Sequence, residues 1–162
     1  MLDYAHALRI LLDTIRPLAP VEAPLADALG LVLAAPVQAR WDLPPADNSA
    51  MDGYAFAHAG QRAGDSLRVS GFLPAGAVQK TALTPGEAVR IMTGAPLPPG
   101  ADTVVPSEEV ESAGDEIQLR KAPKLGDHVR LRGEEFVAGE TLLARSEERR
   151  VGKECRSRGS GY

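Results

Sequence analysis

The sequence predicts a mainly β protein of the α+β class, in which a helical arm precedes a β-rich module of short strands. Near the start of the chain, apolar residues recur at three- and four-residue spacings, and this pattern ends at Pro17. From residue 43 onward, glycine and proline divide the sequence into short pieces, several of which alternate apolar and polar side chains. The chain has 16 glycines and 13 prolines but only 4% aromatic residues, so we expect many turns between short strands.

The first predicted element is an amphipathic helix over residues 2–16, because its apolar residues fall on one face of a helix. These residues are Leu2, Ala5, Leu8, Ile10, Leu11, Leu12 and Ile15. Good helix formers at residues 25–35, interrupted by Gly30, predict one or two helical turns that run into a strand at 37–41. The helical arm and its linking strand are therefore expected to occupy residues 1–43.

The glycine and proline spacing after residue 43 predicts seven further strands. They are expected at residues 54–57, 67–71, 88–92, 103–105, 116–119, 128–131 and 141–143. We predict a β-rich domain over residues 44–138 and the start of a segment that returns to the arm over 139–145. Residues 146–162 abruptly become polar and charged, which is typical of a disordered or foreign tail without a functional role.

Composition excludes several classes of partner. A formal net charge of -4 gives no large positive field for attracting nucleic acid, and no apolar run approaches the roughly 20 residues that span a bilayer. The N-terminus lacks the basic start and apolar run of a signal peptide, and the single cysteine, Cys155, cannot form an internal disulfide. We therefore expect a soluble cytoplasmic protein that binds neither nucleic acid nor membrane.

Residues 47–55, the 47–55 loop, read Asp-Asn-Ser-Ala-Met-Asp-Gly-Tyr-Ala. Asp47, Asn48 and Ser49 can bond their own backbone to form a tight turn, and Asp52 with Gly53 can form a second turn. The density of polar side chains favours a binding surface, in which Asp52 can coordinate a cation or accept a proton. The alternative is a plain connection of two turns between strands.

Residues 90–98, the 90–98 loop, read Arg-Ile-Met-Thr-Gly-Ala-Pro-Leu-Pro. The hydroxyl of Thr93 and the backbone N–H of Gly94 can form a small corner that accepts an oxyanion. Arg90 adds positive charge to this corner only if strand alternation turns it to the same face. The alternative is a strand followed by a stiff loop without a binding role.

A third polar segment contains Arg130 and Arg132, which would share one face if they lay in a strand. Such a pair can clamp an anion, or it can form a solvated face with ion pairs to the neighbouring glutamates. Sequence position does not decide between these two readings. No Walker loop, dinucleotide-binding glycine motif or zinc spacing is present, and the three histidines are isolated in sequence.

These segments resemble a known family, the molybdopterin molybdenumtransferases, which include the MoeA and gephyrin proteins. Residues 45–55, Pro-Ala-Asp-Asn-Ser-Ala-Met-Asp-Gly-Tyr-Ala, resemble its signature loop, and residues 90–98 with Gly-Ala-Asp at 100–102 resemble its second loop. Residues 28–34 resemble its early helix, and residues 126–135 its basic segment. The resemblance covers about residues 1–144 and implies the fold of the family's N-terminal and second domains.

The resemblance also implies an activity. The family inserts molybdate into the dithiolene of adenylylated molybdopterin in the last step of molybdenum cofactor synthesis, releases AMP and uses a divalent metal, which we take to be Mg²⁺. Carried over by position, Asp52 and Thr93 are expected to be catalytic and Asp52 to bind the metal. The residues expected to bind substrate are Asn48, Ser49, Gly94, Arg130 and Glu135. The family usually has Asp at the position of Glu135 and Phe at that of Ala46.

A typical member of the family continues into a pterin-binding α/β domain and a small C-terminal β domain, and neither is present in this sequence. The resemblance implies a homodimer in which the signature-loop domain of one subunit faces the pterin domain of the other, so this chain would carry half a site and would be inactive alone. Two other functions remain open. One is a dimerisation or scaffolding module built on the apolar helix, and the other is a β-rich ligand-binding domain unrelated to molybdenum.

Overall fold

A computed structural model describes residues 3–16 and 18–145. The chain divides into two compact units, one of which takes the residues up to Val37 together with those from Thr141, while the other takes Gln38–Glu140. The boundaries expected at residues 43/44 and 138/139 stay a prediction. The tail expected at residues 146–162 lies outside the described residues. Within the described part of the chain, no helix is long and apolar enough to cross a membrane.

The first unit contains the helix α1, Tyr4–Thr14. Asp3 caps its N-terminus, because the side-chain Oδ1 accepts a hydrogen bond of 2.8 Å from the backbone N–H of His6. The helix predicted at residues 2–16 is thus observed, although Leu2 and Pro17 lie outside the described residues. No residue of α1 is buried, so its apolar face has no cover in the part of the chain that the structure describes.

One or two helical turns were predicted within residues 25–35, and the lower number is observed. The structure has a single 3-10 turn at Leu25–Asp27. Gly30 has a φ of 78°, a left-handed conformation that ends helical geometry. Strand β1, Val37–Gln38, is shorter than the predicted strand at 37–41 and pairs with the last strand, Thr141–Leu143.

The second unit holds most of the strands. In chain order they are β2 (Asn48–Ser49), β3 (Gly53–Phe56), β4 (Ser66–Leu73), β5 (Glu87–Ile91), β6 (Thr103–Pro106), β7 (Val110–Ala113), β8 (Glu116–Leu119) and β9 (Val129–Arg130), and β10 is the strand Thr141–Leu143 of the first unit. Six of them form one sheet in the order β6-β3-β5-β4-β8-β7, and β2 pairs separately with β9. Neighbours in the large sheet are antiparallel except β4 and β5, which are parallel.

All seven strands predicted after residue 43 are present, with bounds that differ by at most two residues. Two strands were not predicted. Strand β2 contains only the polar residues Asn48 and Ser49, and β7 has one buried apolar residue, Val110, followed by three exposed residues. Neither strand has the alternating pattern on which the prediction relied.

The core lies on both faces of the large sheet, as the alternation along β3 shows. Tyr54 and Phe56 belong to one buried cluster, whereas Ala55, between them, belongs to the other. The sheet is also curled. The hydroxyls of Tyr54 on β3 and Ser112 on β7 lie 3.3 Å apart, although three strands separate β3 from β7 in the sheet order. Strands β3 and β5 are antiparallel neighbours with Gly53 opposite Ile91, so the loop that enters β3 and the loop that leaves β5 lie side by side.

Candidate functional site

The 47–55 and 90–98 loops are joined by their backbones. The N–H of Gly94 donates to the carbonyl of Ser49 at 2.8 Å, and the N–H of Ser49 donates to the carbonyl of Ala95 at 3.0 Å. A third hydrogen bond, of 2.9 Å, runs from the N–H of Leu97 to the carbonyl of Asp47. Segments more than 40 residues apart in sequence therefore form one polar surface.

Asp52 and Thr93 are in direct contact on this surface. Oδ1 of Asp52 accepts a hydrogen bond of 2.7 Å from the backbone N–H of Thr93 and one of 2.6 Å from its hydroxyl. The two hydrogen bonds from Thr93 lower the pKa of Asp52 below its ordinary value. The hydroxyl has the largest effect, the N–H has the next largest, and the charge of Arg90 lowers the pKa further. Asp52 is therefore an ionised, solvent-exposed carboxylate.

The second carboxylate oxygen of Asp52, Oδ2, has no hydrogen-bond partner among the described residues. One oxygen is thus held by Thr93 while the other faces solvent and can accept a proton donor or a cation. Both residues were predicted to be catalytic. The structure brings them together, and their catalytic roles stay a prediction.

Replacing Thr93 with Val is expected to raise the pKa of Asp52, because the hydroxyl that contributes most to the lowered pKa is removed. Thr93→Ser keeps the hydroxyl and is the matched control, for which we expect a pKa close to that of the unchanged chain. The measurement is a pH titration of the Asp52 carboxyl carbon by ¹³C NMR. A carboxyl that titrates at the same pH in all three chains would contradict the role of Thr93.

The lowered pKa of Asp52 also determines how the stability of the fold changes with pH. Because the folded pKa of Asp52 is depressed, its ionisation stabilises the fold above the pKa of the unfolded chain, and this stabilisation is lost as the pH falls through the folded pKa. In Thr93→Val the acid-side loss of stability should be smaller.

The predicted oxyanion corner is not formed in the way the sequence suggested. The hydroxyl of Thr93 donates to Asp52, and the N–H of Gly94 donates to Ser49, so neither donor is free. The expectation that these two donors bind an anion directly is therefore wrong for this conformation. The reason is that the two loops use these groups to bind each other. A contact between substrate and Gly94 through other atoms stays a prediction.

Ser49 and Asn48 lie where the loops join. Ser49 is fully buried, and its hydroxyl donates to the carbonyl of Met51 at 2.6 Å, which confirms the predicted bond to its own loop. Asn48 is 8% exposed, and its side-chain Oδ1 is buried without a partner among the described residues. Asp47 does not bond its own loop as predicted but accepts a hydrogen bond from the N–H of Arg132 at 2.8 Å. The roles of Asn48 and Ser49 in substrate binding stay predictions.

Arg130 and Arg132 do not form a clamp. Strand β9 ends at Arg130, and a turn follows, so the two side chains do not share a strand face. Arg130 forms an ion pair with Glu135, and Arg132 forms one with Asp42. The structure thus favours the reading of solvated ion pairs, although the partner of Arg132 is not a neighbouring glutamate.

Asp42 is the residue of this region that the sequence did not indicate. Its carboxylate accepts a hydrogen bond of 2.8 Å from the N–H of Ala138 and bonds the guanidinium of Arg132, and these contacts lower its pKa. Asp42 therefore anchors the segment that carries Arg130 and Glu135. No local pattern identifies a partner that lies 90 residues away.

The described residues contain no group of three or more His, Cys, Asp and Glu side chains placed to hold a metal ion. Mg²⁺ is commonly bound through one or two carboxylates together with water and substrate phosphates. The free oxygen of Asp52 fits one such ligand, so the residues present are compatible with a metal that the substrate also binds.

The second unit is thus a curled β domain that presents an ionised carboxylate on two joined loops. The comparisons with known proteins identify its family. The family model described as the MoeA N-terminal region, domains I and II, matches residues 2–152. The chain belongs to the MoeA family.

Curated relatives agree with this assignment. The chain is 40% identical over 145 residues to molybdopterin molybdenumtransferase 2 of Mycobacterium tuberculosis. This match covers 83% of the chain and 35% of the relative. The chain is 41% identical over 121 residues to the molybdopterin molybdenumtransferase of Nostoc sp.. This second match covers 72% of the chain and 28% of the relative. The chain therefore spans about a third of the length of these relatives.

A solved structure confirms the mainly β fold. The crystal structure of the molybdopterin biosynthesis moeA protein from Pyrococcus horikoshii OT3 matches with a TM-score of 0.80 and 35% sequence identity. The match covers 88% of this chain and 39% of that chain.

Proposed function

We propose that this chain supplies the signature-loop half of a molybdopterin molybdenumtransferase site. The complete protein would insert molybdate into adenylylated molybdopterin in the last step of molybdenum cofactor synthesis and release AMP. The observation that supports this most strongly is the contact between Asp52 and Thr93, which holds an ionised carboxylate at the exposed junction of the two loops. Membership of the MoeA family supports the choice of reaction.

In this proposal Asp52 acts through its free oxygen, either by accepting a proton or by binding Mg²⁺. A bound Mg²⁺ would neutralise negative charge on the phosphates and on molybdate. Thr93 fixes the orientation of the carboxylate and keeps it ionised. Asn48, Ser49 and Gly94 hold the two loops together, while Arg130 and Glu135 bind substrate at the neighbouring segment.

The chain alone is proposed to be inactive, because it spans only about a third of the length of the relatives and we place the pterin-binding part in the remainder. The full-length protein would be a cytoplasmic homodimer in which the loops of one subunit complete the pterin site of the other. Molybdopterin and molybdate are its substrates in this account.

The experiment that tests the proposal joins residues 1–144 to the pterin-binding and C-terminal segments of a matching full-length relative. Molybdate-dependent cofactor formation by the purified graft is then measured. The proposal predicts activity well above that of residues 1–144 alone. A graft that folds and dimerises as the relative does but forms no cofactor would reject it.

A second candidate is a dimerisation or scaffolding module without its own catalysis, and α1 is the observation that favours it. Its large apolar residues are all exposed, with Leu11 59% and Leu12 63% accessible, and Ile15, which follows the helix, is 66% accessible. An exposed apolar helix face is expected to pack against another protein surface, and in this second function that surface belongs to another copy of the chain.

Light scattering on the 162-residue chain tests this candidate. Self-association through α1 predicts a dimer that Leu11→Glu converts to a monomer, while Asp13→Glu on the same helix leaves it unchanged. A chain that is monomeric at all concentrations would exclude self-association through α1.

A further inference from the structure

A concavity of about 460 Å³ lies within the second unit, where the curl of the large sheet brings β3, β4 and β5 towards the β7–β8 hairpin. This Arg90 concavity is lined in part by Tyr54, Phe72, Arg90, Ser112, Asp115 and Glu116. Its volume falls within the roughly 300–1,000 Å³ that small-molecule sites occupy. Neither Asp52 nor Thr93 lines it, so it is distinct from the contact described above.

Arg90 is held in place on one wall of this concavity. Its Cζ lies 5.6 Å from the centre of the Phe72 ring, which is the geometry of a cation–π contact. Phe72 stands opposite Arg90 because the pairing of β4 with β5 shifts between Val69 and Phe72, as at a β-bulge.

Arg90 forms no ion pair at contact distance in the described part of the chain, although its charge acts on Asp52. Within residues 3–16 and 18–145, no carboxylate lies within ion-pair distance of its guanidinium, whereas Arg68, on the adjacent strand, pairs with Glu87. A positioned guanidinium without an ion pair presents N–H donors in a fixed fork, which is suited to the oxygens of an anion.

Two hydroxyl groups provide a further donor. Tyr54 is 8% exposed, and its OH lies 3.3 Å from Oγ of Ser112. Only one of the two hydroxyl protons can lie between these oxygens. The other proton has no acceptor among the described residues, although both residues line the concavity. A ligand that accepts hydrogen bonds would satisfy it.

We propose that the Arg90 concavity binds a tetrahedral oxyanion, either as a free ion or as the phosphate group of a small phosphorylated molecule. Arg90 donates to it from one side, and the spare proton of the Tyr54–Ser112 pair donates from another. Asp115 and Glu116 also line the concavity, and their negative charge weakens the binding of an anion. We therefore expect a dissociation constant on the order of 1 mM.

The test is a titration of the 162-residue chain with inorganic phosphate at constant ionic strength, followed through the Nε–H signal of Arg90 by ¹⁵N NMR. Saturable binding is expected. Combined Tyr54→Phe and Ser112→Ala should weaken it about two- to tenfold, since one neutral hydrogen bond is removed.

Arg90→Gln, whose titration is followed by ³¹P NMR alongside the unchanged chain, should weaken binding at least about tenfold, because a hydrogen bond to a charged group is lost. Arg68→Gln is the matched control, since it removes an exposed arginine from the adjacent strand but not from the lining, and it should bind as the unchanged chain does.

Absence of saturation would overturn the proposal. So would equal binding by Arg90→Gln and the unchanged chain, or equal losses in Arg90→Gln and Arg68→Gln, which would indicate general charge attraction. Parallel titrations with molybdate and glycerol phosphate distinguish a free oxyanion from the phosphate group of a small molecule. Tighter binding of the ester assigns the site to a phosphorylated molecule, and tighter binding of the inorganic ions assigns it to a free oxyanion. The inference does not rest on the proposed function, because the titration needs no cofactor formation.

Discussion

Asp52→Asn in the grafted full-length protein is expected to lower the rate of molybdate-dependent cofactor formation by about 10²–10⁴-fold, the range typical of a lost acid–base group. Asparagine keeps an oxygen that can still accept both hydrogen bonds from Thr93, so the loops should remain joined. It removes the charge and the ability to take a proton or bind a cation strongly. The measurement is the initial rate at saturating molybdate.

Asp65→Asn is the matched control for this substitution. Asp65 is also exposed, and its carboxylate also accepts a backbone hydrogen bond, of 2.8 Å from Arg62, but it lies outside both loops. We expect its rate to stay within about twofold of the unchanged graft, a change of less than roughly 0.5 kcal/mol. Equal rates for Asp52→Asn and the unchanged graft would remove Asp52 from the mechanism.

Gly53→Ala is expected to destabilise the fold by at least about 3 kcal/mol, at the upper end of overpacking effects. A Cβ at this position would lie 2.0 Å from the carbonyl oxygen of Val105, 2.9 Å from its carbonyl carbon and 3.0 Å from Cα of Pro106. These are backbone atoms of β6, the strand that pairs with β3 at Gly53, so relief requires the two strands to separate.

Urea unfolding measures this effect, and Gly71→Ala provides the control. Gly71 also lies in a strand with ordinary φ, but a Cβ there would meet only a side-chain atom of Val89, at 3.9 Å. We expect Gly71→Ala to change stability by less than about 1 kcal/mol. A Gly53→Ala chain that unfolds at the same urea concentration as the unchanged chain would show that β6 does not approach β3 as closely as described.

Gly53 illustrates how far the sequence could be interpreted. Asp52 and Gly53 were predicted to form a turn, but Gly53 begins strand β3 without a positive φ. The residue is glycine because another backbone passes close to it. Close approach depends on a strand 50 residues away, and a pattern of neighbouring residues cannot indicate it.

Other features of the fold and site were likewise predictable only where they depend on neighbouring residues. The strands bounded by glycine and proline were predictable because turns and side-chain alternation are local. The hydrogen bond from the Gly94 N–H to Ser49 and the ion pair of Arg132 with Asp42 were not, because each joins residues far apart in sequence. The sequence indicated that both loops are polar and contain glycine, but it did not indicate that Asp52 contacts Thr93.

Asp52 and Thr93 are proposed to act as one unit, and a double-mutant cycle in the graft tests this coupling. Thr93→Val, Asp52→Asn and the double variant are compared by the rate of cofactor formation. If Thr93 acts through Asp52, the double variant should be no slower than Asp52→Asn alone, because residues that act as a unit are not additive. A double variant whose loss equals the product of the two single losses would contradict the account.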